Sequence, residues 1–423
     1  MTKDIFKYIH KSTVRFNFTC NLFDGALYGF AMSLISMVTV FPVLVKKVGG
    51  SNLAVGLIPV IWIIGFNFPQ ILIANYASRQ PYKKPLMLKT AFIQRLPWFV
   101  LSFVVFFLLT RVTPTIGLIL VFSGFAASAV AGSLNLPGWF DLVAKVTPLD
   151  LRGRLFAYRS TLGALMGVGG GAIVSYVLDN FEYPDNFSLL FLLAFLVTMI
   201  SYIFLLNIRE EDSNQSLDGF YRREYLEKLK IIVKKESGFR NFLIADALLI
   251  SALMADAFYT VNALEKFSLS EGYAGQFTMV MMITMILGNL IFGHLADRIG
   301  HKLNLMFAGV FTFSICLIAI LAKSVVLYYV VFMGTALTLS LINVSRLAII
   351  AELCVEENRP IYIALTNMIT SPFILFGILG GFLADHFGYN IVFLIAGIFA
   401  LSSSLWWWRK VPEPREKKTR KLY

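Results

Sequence analysis

Gly293-His-Leu-Ala-Asp297-Arg298-Ile-Gly300-His-Lys302 is a short polar segment set between two apolar stretches, 274–292 and 303–322. Each stretch has about the 20 residues that a helix needs to cross a hydrocarbon core. Two crossings joined so closely require a sharp reversal, and Gly293 and Gly300 are expected to supply the positive φ that it needs. Asp297 suits a helix N-terminus, where unpaired N–H groups carry partial positive charge. Arg298 and Lys302 mark the membrane face on which the loop lies. The segment reads as the turn of a helical hairpin in a bilayer.

The composition of the whole chain agrees. Of its 423 residues, 57% are hydrophobic and 15% charged, against roughly 45–50% and 25% in soluble domains. That balance excludes a soluble enzyme, a disordered chain and a secreted disulfide scaffold. Cys20, Cys316 and Cys354 lie scattered in apolar stretches and read as buried thiols. Stretches able to cross fall at 18–45, 53–75, 86–110, 115–138, 155–178, 187–207, 241–263, 274–292, 303–322, 324–345, 360–384 and 389–408. The expected fold class is all-α integral membrane, with twelve transmembrane helices in two pseudo-symmetric six-helix bundles. Residues 1–208 form the first bundle, 209–240 a cytoplasmic linker, 241–408 the second bundle and 409–423 a basic tail. In the linker, Tyr221, Tyr225, Leu229, Ile232 and Val233 recur at helical spacing among basic residues, as in an amphipathic helix on the inner membrane surface, with a solvated linker as the alternative. Trp406-Trp407-Trp408 end the last span as an interfacial belt.

Lys and Arg number 37 against 25 Asp and Glu, a formal charge of +12. In a bilayer protein this excess is a topology signal, and no nucleic-acid partner is expected. Counting residues at helix ends with the nearest loop, 31 of the 37 basic residues share one face with both termini and 5 lie on the other. Both termini are therefore expected to be cytoplasmic, in a multi-pass protein of the cell (inner or plasma) membrane. The basic N-terminus precedes an apolar stretch too long for a signal-peptide core and reads as the start of a retained first helix.

The two halves repeat. At an offset of 219, Gly56 falls on Gly275, Ala77 on Ala296, Arg79 on Arg298, Lys83 on Lys302, Leu86 on Leu305 and Met87 on Met306. Two like-oriented six-helix repeats are the architecture of a transporter with its substrate site between the halves. The segment from Gly293 to Lys302 closely resembles the loop signature of the major facilitator superfamily: Gly, two or three residues, Asp-Arg, one residue, Gly, then basic residues. The copy after the second span departs from it, with Ser78 in place of the acid and Pro81 in place of the glycine. Phe41-Pro42 with Val48-Gly49-Gly50-Ser51, the stretch from Pro148 to Arg154, and Gly380-Gly381-Phe-Leu-Ala-Asp385-His-Phe-Gly388-Tyr389 resemble other junctions of that family. The resemblance spans the chain, and it specifies the fold but not the substrate. It implies that Asp297 caps or salt-bridges the start of the fifth span and releases it as the cytoplasmic side opens. Gly293, Asp297, Arg298, Gly300 and Lys302, with Arg79 from the degraded copy, are the expected gating motif.

An ionisable residue within a span is costly and marks a functional site by default. The first span carries Asp24, with Tyr28 one turn on. The third carries Gln94 and Arg95, near the midplane at ~1.5 Å of rise per residue. The seventh carries Asp246, close to the surface and read as structural, and then Asp256 with Tyr259 on the same face. The resemblance implies that the first, fourth, seventh and tenth spans line a central cavity, which favours Asp24, Tyr28, Asp256 and Tyr259 as substrate- or proton-binding residues. Arg95 is a possible buried partner for Asp24. Asn135 and Asn343, at matching positions of the fourth and tenth spans, either line the inner vestibule or hydrogen-bond between helices. Gly163, Gly167 and Gly171 give the fifth span a small-residue face. That face is similar to the glycine-rich fifth helix of the family's exporters, without the proline usual there.

No phosphate-binding loop of the G-x-x-x-x-G-K-[ST] type occurs, which disfavours a primary pump. His10, His294, His301 and His386 have no metal-site spacing, so no metal, cofactor or enzymatic activity is expected. The expected function is secondary active transport of a small solute by alternating access, proton-coupled and with export favoured. An importer of a sugar or organic anion, coupled to a proton or cation, and a non-transporting sensor of the same fold remain alternatives. The expected partners are the solute, the bilayer and a coupling proton or cation, with the chain acting as a monomer.

Overall fold

In hydrocarbon every backbone N–H and C=O must pair within its own segment or a closed barrel, and this sequence takes the helical solution. The computed structural model describes residues 2–69, 73, 76, 80, 82–210, 236–354 and 359–413, and among these there is no strand. Fifteen α-helices follow in order. They are α1 (Thr2–Leu34), α2 (Val40–Lys47), α3 (Asn52–Asn67), α4 (Lys84–Phe107), α5 (Pro114–Val146), α6 (Leu149–Asn180), α7 (Asp185–Asn207) and α8 (Ser237–Ala252). The remainder are α9 (Asp256–Phe267), α10 (Tyr273–Ile299), α11 (His301–Leu321), α12 (Val325–Leu353), α13 (Arg359–Thr370), α14 (Phe376–Phe387) and α15 (Tyr389–Lys410). Arg79 and most of the expected linker helix, residues 211–235, lie outside the described residues.

Ten helices among the described residues are long and apolar enough to cross a membrane, with α8 and α9 running together as one span and α13 into α14 as another. The first two expected spans correspond to α1 and to the shorter apolar α3. Short 3-10 turns break two of the long helices, Leu253–Ala255 ahead of α9 and Ser371–Leu375 ahead of α14. Pro372 accounts for the second break, whereas neither Pro nor Gly lies at the first.

The chain packs into two units that do not follow the midpoint of the sequence. One comprises Met1–Ser36, Ile61–Phe220 and Ala274–Met279, and the other Met37–Val60, Tyr221–Tyr273 and Val280–Tyr423. Glycine lets the two exchanged segments pack where they do. In the second unit a Cβ on Gly56 of α3 would strike the backbone of Gly377 in α14. In the first, a Cβ on Gly275 of α10 would strike the backbone of Gly171 and Ser175 in α6. Gly56 and Gly275 are equivalent in the sequence repeat, so the repeat is also a repeat of packing.

The apolar core of the second unit is centred on Phe239, Phe242, Leu305, Ile349, Ile350 and Trp407. Trp407 therefore departs from the expected belt: it is wholly buried against Phe242, with ring centroids 5.7 Å apart. Trp408 is the exposed member of the triplet, and Arg409 lies over its ring. Cys20 and Cys316 are buried, Cys354 is half-buried, and all three are free thiols.

Candidate substrate and coupling site

In the first unit, four helices bring a charged cluster together about ten residues into α4 and α6. At ~1.5 Å per residue this is ~15 Å from the helix starts, midway through a core of ~30 Å. Asp24 of α1 is 2% exposed and ion-pairs with Arg159 of α6 at 2.8 Å and with Arg95 of α4 at 3.6 Å. Ser201 of α7 donates to the Asp24 carboxylate at 2.7 Å and accepts from Arg95 Nη2 at 3.1 Å. Arg95 also donates to the Thr198 carbonyl at 2.7 Å and the Ala91 carbonyl at 2.8 Å. Its charge is thus held by groups of its own unit.

The neutral residues form a chain beside this cluster. Gln94 donates to the Tyr28 hydroxyl at 2.8 Å, and the Asn135 amide donates to the Gln94 carbonyl oxygen at 3.4 Å. Thr90 donates to the Asn135 carbonyl oxygen at 3.0 Å. Asp24, Tyr28, Gln94, Arg95 and Asn135 are therefore neighbours, and the Arg95–Asp24 pair exists as the longer of two. Sequence reading missed Arg159 and Ser201. Arg159 falls near the start of the expected fifth span at 155–178, where it is easily absorbed into the charge of the preceding loop. The signal that identifies it is Gly25: a Cβ there would overlap the Arg159 side chain, so the glycine beside Asp24 makes room for the guanidinium.

The second unit carries a different pair. Arg346 of α12 donates through Nε at 2.9 Å and Nη2 at 2.9 Å to the two oxygens of Asp246 in α8. Its remaining donors reach Asn367 Oδ1 at 3.3 Å and Thr370 Oγ1 at 3.1 Å. Asp246 is 1% exposed. The sequence places Arg346 one turn beyond Asn343 but gives no sign of its pairing with Asp246. Asp256 is the first residue of α9, just past the 3-10 break, and its carboxylate has no hydrogen bond or ion pair among the described residues. Tyr259, one turn on, is buried with its hydroxyl 3.3 Å from Cys316 Sγ. Asn343 is exposed, away from any such network, so it differs from its repeat mate Asn135. Among the described residues no group of acids, His and Cys is arranged to hold a metal ion.

The signature loop is a correction in one respect. Gly300 ends α10 with φ 96° and supplies the reversal, whereas Gly293 sits inside the helix. Asp297, Arg298 and Lys302 flank this turn, and Asp297 and Arg298 are exposed. Two carboxylates cap helix starts. Asp385, in the last turn of α14, accepts the backbone N–H groups of Asn52 at 2.8 Å and Leu53 at 3.0 Å, at the start of α3. Glu210 accepts those of Lys83 and Lys84, both at 2.9 Å, at the start of α4. Gly-x-Leu-Ala-Asp-x-x-Gly occurs at both Gly293–Gly300 and Gly381–Gly388, and that repetition is the signal that could have identified Asp385.

Residues 244–422 match the family model of the Major Facilitator Superfamily. The match spans somewhat less than half of the chain. No curated protein matches it in sequence. Over nearly its whole length it shares the fold of solved transporters. It superposes on a point mutant of the nucleoside transporter NupG with a TM-score of 0.71 at 14% identity, covering 95% of this chain and 100% of that one. A bacterial homologue of the human lysosomal transporter Spinster gives 0.72 at 11% identity, with coverages of 96% and 98%. A D-xylose-proton symporter gives 0.70 at 13%, with coverages of 94% and 98%. The matched segment and the shared fold liken the chain to multi-pass membrane transporters.

Proposed function

We propose that this chain is a secondary active transporter of the superfamily that moves a small solute by alternating access, driven by a proton. Asp256 carries the reading. A carboxylate within a span is expensive unless matched by a cation or proton, and Asp256 has no partner among the described residues. It also stands at a 3-10 interruption of its helix, a feature that often marks a hinge. A D-xylose-proton symporter shares the fold, which supports a proton as the coupling ion.

The remainder of the reading follows from the sequence. Twelve spans, both termini in the cytoplasm, a monomer and a cell-membrane location fit the charge asymmetry and the repeat. Export is the direction favoured by Gly163, Gly167 and Gly171 on the fifth span. Asp297, with Arg298, Lys302 and Arg79, gates the cytoplasmic side, and Asp297→Asn is expected to change accessibility from that side to a thiol reagent. Flux in proteoliposomes under an imposed pH gradient tests the core of the proposal. Wild type is expected to accelerate with the gradient, and Asp256→Asn to exchange solute without responding to it. Full gradient response in Asp256→Asn would remove Asp256 from coupling, and binding without flux in wild type would make the chain a sensor.

A further inference from the structure

We infer that a polar clasp centred on Asp385 fastens residues 37–60 to the second unit and keeps the seam between α3 and α14 shut on the outer face. This inference rests on the transporter reading and gives it a regulatory device. With both termini in the cytoplasm, as proposed above, the turns that carry the clasp lie outside. Residues 37–60 come from the first sequence repeat, yet they pack within the second unit. Alternating access moves one repeat against the other, so it has to break whatever joins them.

The seam itself is bare. A Cβ on Gly377 of α14 would meet the Gly56 carbonyl oxygen at 2.7 Å, and one on Gly381 would meet the Asn52 carbonyl oxygen and Leu53 Cα, each at 2.5 Å. Small residues let the backbones approach this closely, and they bring no interlocking side chains, which leaves the specific hold to polar groups. Asp385 supplies the first: its two oxygens accept the Asn52 N–H at 2.8 Å and the Leu53 N–H at 3.0 Å. Tyr389, opening α15, has its hydroxyl 2.8 Å from Asn52 Oδ1 and 2.9 Å from Glu265 Oε2, with one proton to share between them. Lys46 of α2 donates to Asn52 Oδ1 at 3.2 Å and pairs with Glu265 Oε1 of α9 at 3.2 Å. Lys47 pairs with Glu271. Between α2 and α9 these pairs rim a cavity of about 280 Å³, otherwise lined by Val43, Val261, Leu264 and Leu269. The side chains of Lys46, Lys47 and Glu265 are 30%, 45% and 48% exposed, and exposed pairs are weak one by one. The hold is therefore collective and reversible, as a tie that is broken and remade in each cycle requires.

Two measurements on the full-length protein test the clasp. Amide hydrogen exchange is followed on the purified protein in detergent, where the rate at a protected amide tracks its opening equilibrium. Loss of an N-cap side chain shifts such an equilibrium about five-fold. Asp385→Ala is accordingly expected to speed exchange about five-fold through α2, the start of α3 and the end of α9 together. Acceleration confined to Asn52 and Leu53, or none, makes Asp385 a local cap and overturns the clasp. If Asp385→Ala does not fold, Glu265→Gln carries the same test, and exchange that does not rise jointly in these three segments overturns it. The second measurement places a reporter behind the clasp. Val60 is 4% exposed and lies against Gly377 in the seam. Val60→Cys is labelled in intact cells with a membrane-impermeant maleimide, and the chain with its native cysteines alone sets the background. Labelling is expected to be slow and to rise about five-fold when Asp385→Ala or Glu265→Gln is added. A rate that these changes leave alone overturns the clasp, and labelling that requires permeabilised cells overturns its outer placement. No flux enters either readout, so a chain that binds without transporting would defeat the transporter reading and leave the clasp to be judged by exchange and labelling.

Discussion

Asp246 and Asp24 are both buried carboxylates paired with arginine, yet their surroundings differ in balance. Arg346 grips Asp246 with two parallel hydrogen bonds and spends its other donors on Asn367 and Thr370, so the pair closes on itself. Asp24 is divided between Arg159 and Arg95, with Ser201 bridging, so two guanidiniums face one carboxylate. The Asp246 pair is matched in charge, one to one, whereas the Asp24 cluster holds two guanidiniums against one carboxylate. The identity of the paired residues does not separate the two sites; the count of donors and charges does.

Breaking the closed pair should have the largest effect. Arg346→Met strands a carboxylate that is 1% exposed, and removing one partner of a buried pair costs about 3–5 kcal/mol. A thermal melt of the purified protein should show that loss, and Asp246→Asn/Arg346→Met should recover most of it. A single variant that melts with wild type would mean the pair is not closed. In the Asp24 cluster the effect should be smaller. Asp24→Asn leaves Arg95 its bonds to Thr198, Ala91 and Ser201, so a loss of about 1.5–3 kcal/mol is expected, that of hydrogen bonds to a charged group. Adding Arg159→Gln should restore stability without restoring transport.

Asp385 sharpens the contrast from another side, because its carboxylate is paired with helix N–H groups rather than with a cation. Asp385→Ala should cost about 1 kcal/mol, the value of an N-cap side chain, read again by melting. Asp256→Asn should change stability least, within about 0.5 kcal/mol, since it removes no partner. A large loss there would reveal a structural role and weaken its assignment to coupling.

These sites were legible to different degrees for physical reasons. Asp24, Gln94, Arg95 and Asp256 stood out because a polar group in an apolar run is conspicuous in one dimension. Arg159 was hidden, since it lies within about three turns of a helix end and a count of loop charges absorbs it, and Arg346 stood one turn beyond Asn343 with nothing in the sequence to pair it with Asp246. Ser201 gave no signal, because a hydroxyl in a span is ordinarily satisfied by its own helix. The expectation for Asp297 rests on family resemblance, and the cap seen at the matching Leu-Ala-Asp turn is that of Asp385.

The sequence by itself determined the solvent, the helical class, the repeat and the turn at Gly300. Each depends on the local density of apolar groups, on charge along the chain or on a single backbone conformation. Tertiary structure decided which charges cancel. A buried ion's energy depends on the distances and donors of residues far apart in sequence, as with Asp24 and Ser201 or Asp246 and Arg346, and hydropathy and spacing do not encode those distances.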